Sequence, residues 1–375
     1  MPTLVALDLP AGDGFVRALR AVWDAGDAAF PLDPRLPRPV SEALVATMAP
    51  GAVIGPDGEP RRLPGGQPTA EGDALVLSTS GSTGPPKGVV LTHEALSAAA
   101  DATSASLEVD PRRDCWLACL PLAHVGGLGV VTRALLTGTR LVVHDRFDAA
   151  AVEASTRDGV TLVSLVPTAL GRLDASRFRR VLVGGARPHR PLPPNAVTTY
   201  GMTETAGGVI YDGVPLPGVA VRLGDGAVGE PGEVLVRTPT VMRCYRDGRV
   251  PRLVDGWLAT GDAGRFDEQG RLVVQGRLDE VIVTGGEKVW PHAVERTLAE
   301  HPEVAEALVV GRPDPEWGEA VIAVVVPRDP SAPPSLAELR AHVRASCPPW
   351  AAPRALELVD ALVRAPSGKV RRRAH

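Results

Sequence analysis

The run Ser78-Thr79-Ser80-Gly81-Ser82-Thr83-Gly84-Pro85-Pro86-Lys87-Gly88 constrains this chain more than any other segment. Short apolar stretches lie on either side, Ala74–Leu77 before it and Val89–Leu91 after it, so it reads as a loop between two strands. Glycines let backbone N–H groups approach a ligand closely, hydroxyls donate hydrogen bonds, and a lysine supplies a point charge. Thr79, Ser80, Gly81, Ser82, Thr83, Gly84 and Lys87 therefore provide the parts needed to hold a polyphosphate. The Walker A loop is excluded, because it requires Gly-Lys-Ser/Thr and Lys87 stands between Pro86 and Gly88. A plain Gly/Ser linker would explain neither the lysine nor the flanking strands.

The chain is 375 residues long, more than one hydrophobic core usually supports, so two domains are expected. Hydrophobic residues at 44% and charged residues at 22% suit a soluble globular protein. A net charge of −4 argues against a nucleic-acid partner, which needs a basic face. The dense basic cluster Arg371-Arg372-Arg373 reads as a solvated tail. Aromatics are 4%, whereas proline (37) and glycine (40) are abundant, which predicts many loops and a core of Leu, Val and Ala. The four cysteines show no metal-ligand spacing, and Cys115 and Cys119 lie in an apolar stretch as reduced core residues. The N-terminus lacks a secretory signal, and no run of about 18 apolar residues exists to span a bilayer. A reduced, cytoplasmic, soluble enzyme is expected.

Residues 1–72 read as irregular and rich in Pro and Gly. From Asp73 onward, Val/Leu-rich runs such as 141–143, 162–166 and 181–183 alternate with Ala-rich helical stretches, including 94–105 and 149–157. That alternation predicts an α/β fold of layered sheets and helices. Near the C-terminus a helix over 291–301, strands over 305–310 and 320–326, and a helix from Ser335 as N-cap predict a small α/β domain.

The loop resembles the phosphate loop of the adenylate-forming superfamily, which contains acyl-CoA synthetases, adenylation domains and luciferases. Further segments match that superfamily in the same order. They are Pro121-Leu122-Ala123-His124, Val166-Pro167-Thr168, Gly184-Gly185-Ala186, Tyr200-Gly201-Met202-Thr203-Glu204, Thr260-Gly261-Asp262, Gly276-Arg277-Leu278-Asp279 and Pro366-Ser367-Gly368-Lys369. The resemblance implies a large N-terminal adenylation domain over 1–276, a hinge over 277–280 and a small mobile C-terminal domain over 281–375. Only 77 residues precede the phosphate loop, fewer than in typical relatives. Such a shortened form resembles the actinobacterial o-succinylbenzoate–CoA ligases, as does the text after Tyr200.

The resemblance also implies roles. The phosphate loop and Thr203 would hold the phosphates of ATP, and Glu204 would hold Mg²⁺. Gly184, Gly185, Ala186, Tyr200 and Gly201 would flank the adenine, with Asp262 and Arg277 at the ribose. His124, Met202, Gly207 and Gly208 would line the acyl pocket, the two glycines leaving room for an aromatic ring. Lys369 would be catalytic, with His124 as a gate. Asp279 would be the pivot, and Gly285, Gly286 and Lys288 would form a loop on the coenzyme A side. The implied reaction makes an acyl-adenylate from ATP and a carboxylate, then passes the acyl group to CoA. Small molecules are the expected partners, with no nucleic acid and no membrane span, and a homodimer is an allowed assembly. Another aryl- or acyl-CoA ligase, an adenylation enzyme loading a carrier protein, and a binding protein without catalysis remain open alternatives.

Overall fold

Residues 1–72 contain four strands and two helices, contrary to their reading as irregular. In the computed structural model, which describes residues 1–79, 86–186, 188, 191–224, 231–364, 370 and 372, Leu4–Leu7 (β1) and Ala28–Pro31 (β2) pair in parallel across helix Asp13–Asp24 (α1). Ala52–Ile54 (β3) joins β1, and Pro60–Arg62 (β4) closes that edge. β1 and β2 escape a pattern reading because each is four residues long and buried throughout, so no alternation marks them. Helix Arg38–Met48 (α2) takes proline in its first turn, where an N–H would have no partner anyway. Asp73–Thr79 (β5) and Lys87–Thr92 (β6) form the antiparallel pair expected around the phosphate loop. With Cys244–Tyr245 (β16) against β6, the sheet order is β16-β6-β5-β2-β1-β3-β4.

A second sheet carries the parallel strands Cys115–Ala118 (β7), Arg140–Val143 (β8), Leu162–Leu165 (β9), Arg180–Val183 (β10) and Ala196–Met202 (β11). Gly207–Tyr211 (β12) and Val214–Pro215 (β13) extend it antiparallel, in the order β13-β12-β11-β10-β9-β7-β8. Helices His93–Ser106 (α3), Val125–Thr137 (α4), Ala149–Ser155 (α5) and Pro167–Leu170 (α6) connect these strands. Thr92 caps α3 by accepting from Ala95 N at 3.1 Å, and Asp148 caps α5 from Ala151 N at 2.8 Å. Side chains alternate across β7: Trp116 and Ala118 join one core, with Leu75, Leu77, Leu91 and Leu128, whereas Cys115 and Leu117 join another, with Val163 and Val181. Cys115 and Cys119 are buried free thiols, and burial pushes Cys119 up to about 12.

By internal contacts the chain divides into two units, residues 1–221 with 236–259, and residues 222–235 with 260–375. Strands Ala220–Leu223 (β14), Gly232–Arg237 (β15) and Trp257–Phe266 (β18) run from one unit into the other; Leu253–Val254 (β17) and Leu272–Arg277 (β19) each pair with β18. This division falls earlier than the sequence-based boundary at 276. β18 and β19 are a hairpin with Asp262 opposite Arg277, so that pairing holds residues 260–277 together.

The second unit contains the long hairpin Val304–Asp314 (β22) and Gly318–Pro327 (β23). It is flanked by Ile282–Thr284 (β20), Glu287–Val289 (β21) and Ala355–Leu358 (β24), in the order β21-β20-β23-β22 with β24 beside β23. Helices Pro291–Ala299 (α7) and Leu336–Arg344 (α8) cover one face through Val294, Leu298, Leu339 and Val343. Ser335 caps α8 in a capping box: its Oγ accepts from Glu338 N, and Glu338 Oε2 accepts from Ser335 N at 2.8 Å.

Candidate active site

In the first unit, the parallel strands β7, β9, β10 and β11 end at one edge of their sheet. The segments there are Cys119–His124, Val166–Thr168 and Gly184–Ala186, together with Tyr200–Glu204, which joins the end of β11 to the turn after it. Open α/β sheets bind ligands outside the carboxyl ends of their strands. Segments far apart in sequence thus meet at the place where a ligand is expected. A Cβ on Gly184 would lie 2.5 Å from Thr199 Oγ1 on the neighbouring strand, so this loop must begin with glycine.

The β11–β12 turn is fixed just as tightly. A Cβ on Gly201 would sit 1.9 Å from the Gly207 carbonyl oxygen, and one on Gly208 would sit 2.8 Å from the Tyr211 ring. Packing of the hairpin therefore already requires Gly201 and Gly208, whether or not a ring is accommodated. Thr205 Oγ1 locks the turn, accepting from Met202 N at 3.1 Å and lying 2.8 Å from the Gly207 carbonyl. Gly207, with φ +115°, faces the side chain of Val125, the residue after His124.

His124 is the N-cap of α4, and its helix reaches back tightly onto the preceding loop. A Cβ on Gly127 would lie 2.4 Å from the Pro121 carbonyl oxygen and 2.5 Å from that of Leu120. His124 Nε2 stands 3.9 Å from Asp33 Oδ2. Asp33, just beyond β2, is gripped by Arg35 through Nε at 2.8 Å and Nη2 at 2.6 Å. Burial pushes the Asp33 carboxyl up, but the Arg35 hydrogen bonds and charge, with His124, outweigh burial and hold it below its ordinary range. A permanent carboxylate thus faces the imidazole.

At the phosphate loop, Thr79 and Lys87 are register partners, and Thr79 Oγ1 lies 3.4 Å from the Lys87 carbonyl. Lys87 Nζ stands 5.3 Å from the centre of the Tyr245 ring, and the Tyr245 hydroxyl donates to Glu204 Oε1 at 3.0 Å. Burial first, then the Glu204 carboxylate, push the Tyr245 phenol well above its ordinary range, so it remains a donor. The backbone supports the same link, because Glu204 O accepts from Met242 N at 2.8 Å. Thr203 and Glu204 open a 3-10 turn directly after β11.

Among the described residues no group of three or more His, Cys, Asp or Glu could cage a metal ion. One oriented carboxylate does fit Mg²⁺, which keeps several waters and takes its remaining ligands from phosphates.

In the second unit, Arg277 Nη1 donates to Asp262 Oδ1 at 3.3 Å and to the Thr260 carbonyl at 2.9 Å, while its Nε reaches Asp279 Oδ1 at 3.3 Å. Gly261, with φ +73°, packs under the guanidinium and donates its N–H to Glu233 Oε1 at 3.0 Å. Asp262 is thereby a buried, oriented carboxylate. Gly285 and Gly286, both at positive φ, form the two-residue turn of the β20–β21 hairpin. A Cβ on Gly285 would strike the Trp317 ring at 2.8 Å, so the turn rests on that indole. Lys288 is exposed on β21.

Ser80, Gly81, Ser82, Thr83, Gly84 and Lys369 lie outside the described residues. One reading is corrected: Arg372 is not a solvated cation. Its Nε pairs with Glu280 Oε2 at 2.9 Å, its Nη2 with Glu295 Oε2 at 2.9 Å, and its side chain is only 15% exposed. The local text Arg-Arg-Arg gives no hint of this, because the two glutamates lie 92 and 77 positions away. Tyr245 and Asp33 escape sequence reading for the same reason. Glu204 and Lys87 lie 41 and 158 positions from Tyr245, and His124 lies 91 from Asp33, although Tyr245 is one of only three tyrosines in the chain, a scarcity that could have drawn attention to it.

Comparisons with known proteins agree on the family. The AMP-binding enzyme family matches residues 56–246, and the AMP-binding enzyme C-terminal domain matches residues 293–369. A probable 2-succinylbenzoate–CoA ligase of Mycobacterium tuberculosis is 38% identical over 331 residues, covering 80% of this chain and 83% of the relative. The 2-succinylbenzoate–CoA ligase of Bacillus anthracis is 37% identical over 67% of this chain, a match that spans 59% of that longer protein. The o-succinylbenzoate CoA synthetase of Bacillus subtilis, solved with the acyl-adenylate intermediate OSB-AMP, superposes with a TM-score of 0.88 at 26% identity. That superposition covers 99% of this chain and 87% of the other. The same synthetase has been solved with ATP and a magnesium ion.

Proposed function

The chain belongs to the AMP-binding enzyme family, and from that premise we propose that it joins o-succinylbenzoate to coenzyme A, using ATP and Mg²⁺, in menaquinone biosynthesis. One observation carries the reading: the segments after β7, β9, β10 and β11 converge at the carboxyl edge of one sheet, with Glu204 tied through Tyr245 towards Lys87. The likeness to the Mycobacterium tuberculosis ligase over 83% of its length supports the choice of acid.

A carboxylate is a poor electrophile, so the enzyme first makes it an acyl-adenylate. A carboxylate oxygen attacks the α-phosphorus of ATP and pyrophosphate leaves. The thiol sulfur of CoA then attacks the acyl carbon, its proton passes to solvent, and AMP leaves. In this reading Thr79, Lys87 and the loop over 80–84 hold the outer phosphates. Thr203 meets the α-phosphate, while Gly184, Gly185, Ala186, Tyr200 and Gly201 flank the adenine. Asp262 accepts from the ribose hydroxyls, and Arg277 holds that carboxylate in place. Glu204, oriented by Tyr245, holds the metal, which when bound neutralises phosphate charge. His124, whose Nε2 faces the Asp33 carboxylate, stands with Met202, Gly207 and Gly208 beside the acyl group. Lys369 stabilises the charge shared by carboxylate and phosphate in the first step. Asp279 is the pivot between the two half-reactions, and Gly285, Gly286 and Lys288 attend coenzyme A. No helix of the described residues is long and apolar enough to cross a membrane. We place the enzyme in the cytoplasm, with a homodimer as the assembly to check by light scattering.

The test is pyrophosphate release across a panel of carboxylates, with and without CoA, and mass detection of the thioester. We expect o-succinylbenzoate to give far higher kcat/KM than benzoate or medium-chain fatty acids. A site that pairs the second carboxylate penalises acids lacking it. Equal turnover of benzoate or a fatty acid would remove the substrate assignment and leave the family.

A further inference from the structure

Within the second unit, the chain on either side of residues 365–369 is pinned. Arg364 and Val370, on either side of those five residues, form an antiparallel bridge. Arg364 also pairs with Glu306, and Val370 packs against the cluster of Leu308, Val310, Ile322 and Val324. Two residues later Arg372 enters a second anchor. Its Nε meets Glu280 Oε2 at 2.9 Å, its Nη2 meets Glu295 Oε2 at 2.9 Å, and its Nη1 bonds Glu295 Oε1 and, at 2.9 Å, the Val309 carbonyl. Glu295 is 7% exposed and uses its oxygens fully: Oε1 also accepts from Val309 N at 2.8 Å, and Oε2 lies 2.9 Å from His292 Nδ1.

The position of Glu280 gives this anchor its meaning. It ends the 3-10 turn Leu278–Glu280 and directly follows Asp279, which Arg277 holds. One guanidinium therefore ties the hinge turn, helix α7 and strand β22 to the chain three residues after Lys369. Three residues span about 11 Å at most, so what fixes Arg372 limits where the lysine can reach. Building such an anchor from a buried charge is costly unless every partner is in place, and a structure needing only a tail restraint would do as well with an apolar side chain.

We propose that Arg372 is a positioning residue for the adenylation half-reaction, its ion pairs with Glu280 and Glu295 tying the chain that follows Lys369 to the turn Leu278–Glu280. This rests on the ligase reading above. Arg372 does not touch substrate; it acts through Lys369.

The test separates the half-reactions in the full-length enzyme. Pyrophosphate release with o-succinylbenzoate is measured for Arg372→Ala, Arg372→Lys and Glu280→Gln, with Lys369→Ala as the reference for a lost lysine. Thioester formation is measured from pre-formed acyl-adenylate and CoA. Arg372→Ala is expected to lower adenylation kcat about 10- to 100-fold, in the range of second-sphere losses. Its KM for ATP and its thioester rate should change less than about 3-fold, and added guanidinium should restore part of the lost rate. Glu280→Gln should show the same selectivity more weakly, and Arg372→Lys should lie between, because an ammonium cannot reproduce the two-sided fork. A parallel fall of both half-reactions in Arg372→Lys and Glu280→Gln would overturn the positioning role and leave a structural one. So would an unchanged adenylation rate in Arg372→Ala when Lys369→Ala is inactive. If the wild-type enzyme releases no pyrophosphate with any carboxylate, the ligase reading itself fails, and this role with it.

Discussion

At the scale of single residues, the site depends on side chains whose partners come from distant positions. Tyr245 orients Glu204 and stands under Lys87, so one phenol connects the carboxylate proposed for the metal with the lysine proposed for the phosphates. Tyr245→Phe removes the hydroxyl and keeps the ring. We expect the Mg²⁺ requirement of adenylation to rise about 10-fold, as for other outer-sphere partners of a ligand, with thermal stability nearly unchanged; an unaltered Mg²⁺ titration would show that Glu204 needs no such orientation. Glu295 gives a prediction about acid. Burial pushes its carboxyl up, but His292 and Arg372 outweigh burial and hold it at about 2, below the ordinary 4.5. A carboxylate with a lowered folded pKa stabilises above its unfolded value, and that contribution disappears as pH falls through the folded one. The wild-type melting temperature should therefore fall between pH 4.5 and about 2 more steeply than that of Glu295→Gln. Parallel curves would assign the acid lability to other groups.

At the scale of elements, glycine positions carry most of the architecture at the sheet edge. The β11–β12 hairpin brings the Gly207 carbonyl to where a Cβ on Gly201 would have to stand. Backbone cannot yield there as a flexible side chain could. Gly201→Ala should cost about 1–3 kcal/mol or more in unfolding free energy, by the rule for overpacked sites, and should lower activity along with it. Gly286→Ala is the control with open space around its Cβ, where only the positive φ is unfavourable. If denaturant midpoints of the two variants shifted equally, contact at Gly201 would not be the cause. The motif text Tyr-Gly-Met-Thr-Glu-Thr-Ala-Gly-Gly was legible in sequence as a candidate site segment. That its glycines are needed by a hairpin was not, because the contact joins two strands and leaves no local pattern.

At the scale of the whole molecule, the pivot proposed at Asp279 makes alternation between the half-reactions testable. Asp279→Pro fixes φ in that turn and should retain adenylation while losing thioester formation, since proline resists the rotation. Asp279→Asn, which keeps backbone freedom and removes the ion pair with Arg277, should retain both. Wild-type thioester formation in Asp279→Pro would place the pivot elsewhere. The sequence alone determined the α/β class, the strand pair around the phosphate loop, the order of the site segments and the cap at Ser335. These depend on short-range signals: glycine and proline at turns, hydroxyls at helix starts, apolar runs of strand length. Tertiary structure alone decided that residues 1–72 build part of a sheet. It also decided that Asp33 faces His124, that Tyr245 bridges Lys87 to Glu204, and that Arg372 is buried among Glu280, Glu295 and His292. The reason is physical: these pairs join residues 41 to 158 positions apart, and only the folded chain brings them into contact.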